Sequence, residues 1–183
     1  MSKLLRYGII VLLFFIQILF LLTMFKENTH SYLLLIFISS LLILTFYTYR
    51  KAQLHDMVHA YESYKVAVWV PVGAVFSYYL NHTMGLGPVL AASVVGAIAS
   101  FIPNMNTNSA YLKKLPPAVY CGAFIGMSNT QIANGFTFIL TASFFTAVFL
   151  VISKSVLNGI GGKLGTLAFL GVALTYFLIF LLG

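Results

Sequence analysis

A run of uncharged hydrogen-bonding side chains follows an apolar, glycine-containing stretch in the second half of the chain. In the stretch CGAFIGMSNTQIANG, residues 121–135, the polar members are Ser128, Asn129, Thr130, Gln131 and Asn134. Neutral amides and hydroxyls suit a polar solute, an ion or a lipid headgroup, whereas proton transfer through a membrane normally uses ionisable side chains. We therefore predict a substrate- or ion-binding site here. The alternative is an aqueous loop in which Asn129 or Thr130 caps the next helix.

A second group of candidate residues lies in RKAQLHDMVHAYESYK, residues 50–65, the longest polar stretch of the chain. His55, His59 and Glu62 are spaced i, i+4 and i+7, so a helix would place them on one face. A His-x3-His pair can bind zinc, with the glutamate as a third ligand. The motif differs from the H-E-x-x-H of metalloproteases by Asp56 in place of glutamate. Apart from this candidate metal, the sequence indicates no cofactor.

The same stretch has another interpretation, as an amphipathic helix on the cytoplasmic surface of a membrane. It contains good helix formers and no proline or glycine, and its apolar residues recur at helical spacing. Its charged face would then dock a cytosolic protein partner. The predicted docking residues are Arg50, Lys51, His55, Asp56, His59 and Glu62.

A glycine-rich segment, GIGGKLGT at residues 159–166, resembles a phosphate-binding loop only superficially. A P-loop has four residues between its glycines and a serine or threonine directly after its lysine. Here Leu164 follows Lys163. The segment does precede an apolar helix, and backbone N–H groups at a helix start favour anions. We predict that Lys163 binds an anion or a lipid phosphate.

Composition places these residues in an integral membrane protein. The chain has 183 residues, of which 61% are hydrophobic and 7% are charged, against about 25% charged residues in soluble domains. The ten Lys and Arg residues exceed three acids, and they lie between apolar runs. That placement indicates membrane topology and contact with anionic lipids rather than nucleic acid. The single cysteine, Cys121, excludes an intramolecular disulfide and is expected to be a small buried residue.

Apolar runs of membrane-spanning length predict about seven membrane segments in an all-α bundle. They are residues 7–25, 31–49, 66–84, 85–103, 116–133, 134–153 and 164–182. Segments between 66 and 133 are shorter or broken, so a count of six, with a re-entrant segment, stays open. With seven crossings and a cytoplasmic N-terminus, Lys26 is the only basic residue outside, as the positive-inside rule favours. Asn81 and His82 then lie on the outer side and join the predicted binding set.

We predict one membrane domain over residues 1–183, with an inner and an outer part. Residues 1–49 form two peripheral helices, 50–65 the interfacial helix, and 66–183 the inner helices. Small residues at four-residue spacing mark the inner part and allow close helix contacts: Ala92, Gly96 and Ser100; Gly122 and Gly126; Gly161 and Gly165. The same spacing predicts a homo-oligomer. Residues 79–96 and 156–171 also share a Leu-Asn, Gly-x-Gly order, which suggests an inverted repeat of the kind found in transporters.

The order of segments over 85–153 resembles the smaller membrane domain of threonine/serine exporters. In that family, too, a small-residue helix precedes a short helix that starts with proline and ends at a glycine-rich break. The Pro-Gly-rich signature of that break is replaced here by CGAFIGMSNTQIANG. No motif in the chain therefore fixes a family.

Three functions remain open from the sequence. The first is a channel or transporter-like protein of a bacterial inner membrane. The second is a membrane sensor or anchor subunit of a bacterial complex, for example in phage defence or stress response, which docks a cytosolic partner. The third is a metal-dependent membrane enzyme that uses His55 and His59. The predicted spans contain no carboxylate, which argues against an ion-coupled pump.

Overall fold

The computed structural model is helical, and the predicted all-α class is confirmed for the residues that it describes. It describes residues 62–154 and 162–182 continuously. Before residue 62 it describes isolated positions, all helical: Gly8, Val11, Phe15, Ile18, Leu22, Tyr32, Ile36, Phe37, Ser39, Ser40, Ile43, Leu44 and Tyr47. The chain divides into two compact units, residues 1–59 and 60–183. The boundary lies inside the stretch 50–65 that the sequence predicts to be an interfacial helix.

The described residues of the second unit are mostly helical. In chain order they are α1 (Tyr64–Ala67), α2 (Trp69–Tyr78), a π-helix (Tyr79–Thr83), α3 (Pro88–Phe101), two 3-10 helices (Ile102–Met105 and Leu112–Lys114), α4 (Leu115–Gly126), α5 (Phe136–Ile152) and α6 (Lys163–Leu182).

Prolines account for several of these boundaries. Helices α1 and α2 are separated at Val68, because Pro71 has no N–H to bond to the carbonyl four residues earlier and its ring displaces that carbonyl. Pro103 lies in the 3-10 turn that ends α3. Pro116 and Pro117 lie in the first turn of α4, as predicted, where the missing N–H groups cost no helical hydrogen bond.

The closest contact between helices is made by α2 and α4, which run parallel. Contacts later in α2 are made with residues later in α4. Gly122 faces Val70 and Ala74, and Gly126 faces Ser77 and Tyr78; Gly73 faces Val119. A Cβ atom built on Gly126 would lie 2.6 Å from the Ser77 Cβ. The predicted packing role of Gly122 and Gly126 is confirmed, since only hydrogen in place of a side chain permits this approach.

The other helices pack around this pair with alternating direction. Helix α3 runs antiparallel to α4, with Gly96 against the Tyr120 ring. Helix α6 runs antiparallel to α5, with Gly171 against Thr146 and Ala142. Gly165 makes no close helix contact within the described part of the chain, because a Cβ atom there would meet nothing within 4 Å. Gly161 lies outside the described residues, and contact of this pair with a second subunit stays a prediction.

Among the described residues, two helical stretches are long and apolar enough to cross a membrane, by length and composition. They are Pro88–Met105 and Lys163–Leu182, of which 22% and 28% are buried. The core helix of a soluble protein is mostly buried, so this exposure of apolar residues is more consistent with contact to lipid. The 17-residue helix α5 is also apolar. Seven crossings stay a prediction.

The predicted segments agree with the helices at the C-terminal end and differ in the middle. Segments 134–153 and 164–182 correspond to α5 and α6 within two residues. Segment 116–133 is a short helix followed by a break, as predicted for the segments between 66 and 133, because α4 ends at Gly126 and residues 127–135 form turns. Segment 66–84 is interrupted at Val68 and widened into a π-helix near its end.

Candidate functional site

All charged side chains in residues 62–154 and 162–182 lie at one end of the helices. We call this the lysine end, and its members are Glu62, Lys65, Lys113, Lys114, Lys154 and Lys163. Glu62 Oε2 lies 3.1 Å from Lys154 Nζ, and Glu62 Oε1 lies 3.9 Å from Lys114 Nζ. These ion pairs bring together the starts of α1 and α4 and the end of α5.

The opposite end carries uncharged polar side chains. We call it the amide end, and its members are Asn81, His82, Ser128, Asn129, Thr130, Gln131 and Asn134. The 17 residue steps from Lys65 to His82 correspond to about 25 Å of helical rise. This length is close to the roughly 30 Å hydrocarbon core of a bilayer.

Side chains of α2 and the π-helix bond to the last carbonyl groups of α4. The Ser77 hydroxyl donates to the Ala123 carbonyl oxygen at 3.0 Å. The Asn81 Nδ2 donates to the Gly126 carbonyl oxygen at 3.1 Å. The last four carbonyl groups of a helix have no partner within the helix, so α2 supplies donors that the short helix lacks.

His82 extends this set to the turn after α4. Its Nε2 lies 3.0 Å from the Ser128 carbonyl oxygen and 3.2 Å from Asn81 Nδ2. A carbonyl oxygen only accepts, so the bond to Ser128 requires the tautomer with hydrogen on Nε2. In that tautomer Asn81 contacts the imidazole and keeps its bond to Gly126.

Two consecutive residues of the π-helix, Asn81 and His82, both contact the end of α4. In an α-helix, neighbours in sequence point about 100° apart, and Ser77 and Asn81 share a face through i, i+4 spacing. The π-helix Tyr79–Thr83, in which the Met84 N–H bonds to the Tyr79 carbonyl at 3.2 Å, contains both residues, and both lie within hydrogen-bonding distance of the end of α4. Single π turns of this type are frequent at functional sites.

The Tyr78 ring fixes the loop of residues 127–135 against the helices. Its centroid lies 4.4 Å from that of the His82 ring and 5.2 Å from that of Phe136. Its hydroxyl is 3.4 Å from the carbonyl oxygen of Ala133, which is fully buried. The loop therefore turns back onto α2 after α4 has ended.

The remaining predicted binding residues form an exposed turn on this loop. Asn129 Oδ1 accepts hydrogen bonds from Thr130 Oγ1 at 3.2 Å and from the Gln131 N–H at 3.4 Å. Asn129, Thr130, Gln131 and Asn134 are all exposed. The predicted capping by Asn129 or Thr130 is wrong, because Gly135 is the N-cap of α5 and no side chain bonds there. The alternative of an aqueous loop stays open.

The structure thus brings together the side chains of Asn81 and His82 and the main chain of Ser128, next to a loop of exposed amides. Their role in binding stays a prediction. Sequence reasoning missed Ser77 and Tyr78, which hold the same helix end and loop. The i, i+4 spacing of Ser77 and Asn81 after Gly73 is the pattern that indicates a polar face on this helix.

The second predicted site lies mostly outside the described residues. This applies to Arg50, Lys51, His55, Asp56 and His59. Glu62 is described, and its carboxylate is already paired with lysines. Within the described part of the chain, no three His, Cys, Asp or Glu residues are grouped as metal ligands. Docking and metal binding stay predictions.

Lys163 lies at the start of α6, as predicted, and it caps a helix. Its Nζ donates to the carbonyl oxygens of Ser153 at 2.6 Å and Lys154 at 3.1 Å. These carbonyls follow the last turn of α5, where the helix dipole favours a cation. Two of the three ammonium hydrogens thus have backbone acceptors, and anion binding by Lys163 stays a prediction.

The amide end offers hydrogen-bonding groups and no carboxylate. In the described residues Glu62 is the only carboxylate, and it belongs to the lysine end. The amide end therefore suits a ligand that exchanges water for amide and carbonyl contacts. No family model, curated protein or solved structure matches the chain.

Proposed function

We propose that the chain is a multi-pass protein of a bacterial inner membrane that lets a small polar solute or ion permeate. The observation that carries the proposal is the length of α4. Its 12 residues rise about 18 Å, which is shorter than the roughly 30 Å hydrocarbon core. The helix then gives way to a neutral polar loop.

A helix that ends inside a membrane needs partners for its last carbonyl groups. Irregular backbone at that depth is tolerated where protein buries it or where it lines a water-filled space. Asn81 and His82 bury one side of the α4 end through the hydrogen bonds described above. The exposed side chains of Asn129, Gln131 and Asn134 supply the other side, and we assign them to the wall of an aqueous entrance.

The chemistry of this end favours a cation or a neutral hydrogen-bonding solute. The C-terminal end of a helix carries a partial negative charge, and broken helices in transporters use such ends to coordinate cations. Amide side chains add neutral donors and acceptors. A carboxylate at the amide end would favour ion-coupled transport. In the described residues the one carboxylate, Glu62, lies at the lysine end.

The orientation follows from charge. We propose that the lysine end faces the cytoplasm and its anionic lipids, and that the amide end faces outward. With the two N-terminal segments this gives seven crossings. Because the chain is small, we also propose that it works as a homo-oligomer or as half of a transporter.

The proposal is tested by flux into liposomes that contain the purified protein. The wild type should pass small monovalent cations or small neutral polyols faster than empty liposomes. Asn129→Leu and Asn134→Leu should each reduce flux at least about fivefold, because each removes an exposed amide. Asn108→Leu is the matched control, since Asn108 is also exposed and lies on the loop before α4, at the lysine end.

Two results would contradict the proposal. One is a wild-type flux no greater than that of empty liposomes for every solute tested. The other is an equal loss of flux in Asn108→Leu and Asn129→Leu, which would show that the loop amides have no specific role. Size-exclusion profiles of the variants in detergent separate loss of flux from loss of assembly.

A further inference from the structure

The lysine end holds more positive charge than its one carboxylate balances. Lys114 and Lys154 lie 3.9 and 3.1 Å from the Glu62 carboxylate. Lys163 interacts electrostatically with both Glu62 and Lys154. The Glu62 side chain is 15% exposed and that of Lys154 is 31% exposed, so water screens this group only in part. Two ammonium groups thus share one carboxylate, and the Lys163 ammonium lies near this pair, on the Ser153 and Lys154 carbonyl oxygens.

The helix ends at this position do not remove the excess. The end of α5, at the Ser153 and Lys154 carbonyls, contributes about half a negative charge near Lys163. The starts of α4 and α6 each contribute about half a positive charge. The group therefore keeps an excess of about two and a half positive charges, which an anion would reduce.

Ser153 provides an independent sign that an acceptor belongs here. The residue is 1% exposed, and its carbonyl oxygen accepts the 2.6 Å hydrogen bond from Lys163 Nζ. Its Oγ is buried and has no hydrogen-bond partner. Buried hydroxyl groups are nearly always hydrogen-bonded. A buried donor without an acceptor, in a residue whose carbonyl contacts the Lys163 ammonium and that precedes Lys154, points to an anionic oxygen as the missing partner.

We propose that Lys114, Lys154, Lys163 and the Ser153 hydroxyl bind a phosphate group at the lysine end. The phosphate belongs either to the headgroup of an anionic lipid or to free phosphate, and both offer the same oxygens. Phosphate oxygens accept strong hydrogen bonds from ammonium groups. Glu62 competes for the same lysines, so it lowers the affinity of the site. This site does not depend on the permeation proposal.

The test uses native mass spectrometry of the full chain in a neutral detergent. Phosphatidylglycerol, diacylglycerol with the same acyl chains, and inorganic phosphate are each titrated. We expect saturable binding of one phosphatidylglycerol per chain, with diacylglycerol at least about tenfold weaker. Binding of inorganic phosphate with no preference for phosphatidylglycerol over diacylglycerol would assign the site to free phosphate. Either source supports the proposal.

Variants separate a built site from diffuse positive charge. Lys114→Gln should weaken phosphate binding at least about fivefold, whereas Lys113→Gln, its exposed neighbour, should change it less than twofold. Glu62→Gln should strengthen binding about threefold or more, because it removes the competing carboxylate. Ser153→Ala deletes one buried oxygen and should weaken binding with an unchanged melting temperature.

Three results would overturn the proposal. The first is binding of neither inorganic phosphate nor phosphatidylglycerol beyond the level of diacylglycerol. The second is equal weakening by Lys113→Gln and Lys114→Gln. The third is a combined result, in which Glu62→Gln weakens phosphate binding and Ser153→Ala has no effect on it. Ser153→Ala leaves the ion pairs intact.

Discussion

The contact between α2 and α4 gives the sharpest test of the packing, through the variant Gly122→Ala. A Cβ atom at this position would lie 2.7 Å from the Ala74 backbone nitrogen and still closer to the Val70 carbonyl oxygen. Ordinary van der Waals contact begins at about 3.5 Å. Since backbone atoms cannot rotate away, the helices have to separate by about 1 Å.

The cost of this separation can be worked out from its parts. Overpacking costs about 1–3 kcal/mol. The separation also lengthens the bonds from Ser77 to Ala123 and from Asn81 to Gly126, each worth about 0.6 kcal/mol between helices in a membrane protein. Alanine recovers up to about 1 kcal/mol of helix propensity. We therefore expect a net loss of about 1–3 kcal/mol, or roughly 5- to 150-fold in the population of opened molecules.

The adjacent Cys121 reports this opening directly. It is the only cysteine of the chain and is fully buried, so a thiol-reactive dye reaches it when α4 loosens. In mild detergent, Gly122→Ala should be labelled roughly 5- to 150-fold faster than wild type.

Gly165→Ala is the matched control, because it also replaces a helical glycine and its Cβ meets nothing within 4 Å. It should be labelled at the wild-type rate or more slowly. Wild-type labelling of Gly122→Ala, or equal acceleration of Gly165→Ala, would refute the assigned packing.

Two further predictions concern the ends of the helices. In phosphate-free buffer, Glu62→Gln should lower the unfolding free energy by about 0.5–1 kcal/mol, and this difference from wild type should shrink in 1 M salt. A difference in melting temperature that does not depend on salt would contradict the ion-pair role. His82→Leu removes the donor to the Ser128 carbonyl and should cost about 1–2 kcal/mol; it should also speed protease cleavage in residues 127–135, and an unchanged cleavage rate would show that His82 does not hold this loop.

Helices with strong local signals were predictable from the sequence. Helix α6 is an uninterrupted apolar run after Gly162 and Lys163, and α5 is another that follows Gly135. Local composition determines where such helices lie, because glycine tends to end a helix and a long apolar run favours a membrane helix. The proline-led start of α4 was predictable for the same reason.

The features that depend on distant residues were not predictable. The sequence indicated a polar break near Ser128, but the return of that loop depends on Tyr78 and Ala133, which are 55 residues apart. The π-helix has no local signal and is associated with the packing of Asn81 and His82 on the end of α4. The charge pattern predicted the lysines on one side, whereas the Glu62 ion pairs join residues from separate helices.

The central claim is that the amide end forms the outer entrance of a permeation pathway, and covalent blockage tests it most directly. Asn129→Cys and Asn108→Cys are placed separately in a Cys121→Ala background and reconstituted into liposomes. Flux is measured before and after a membrane-impermeant thiol reagent is added on the side that labels residue 129. We predict that modification of Cys at position 129 blocks flux and that the position 108 protein keeps its flux. Because the substitution itself removes an amide, flux after modification is compared with that of the same unmodified Asn129→Cys protein. Unchanged flux after complete modification at position 129 would contradict the account.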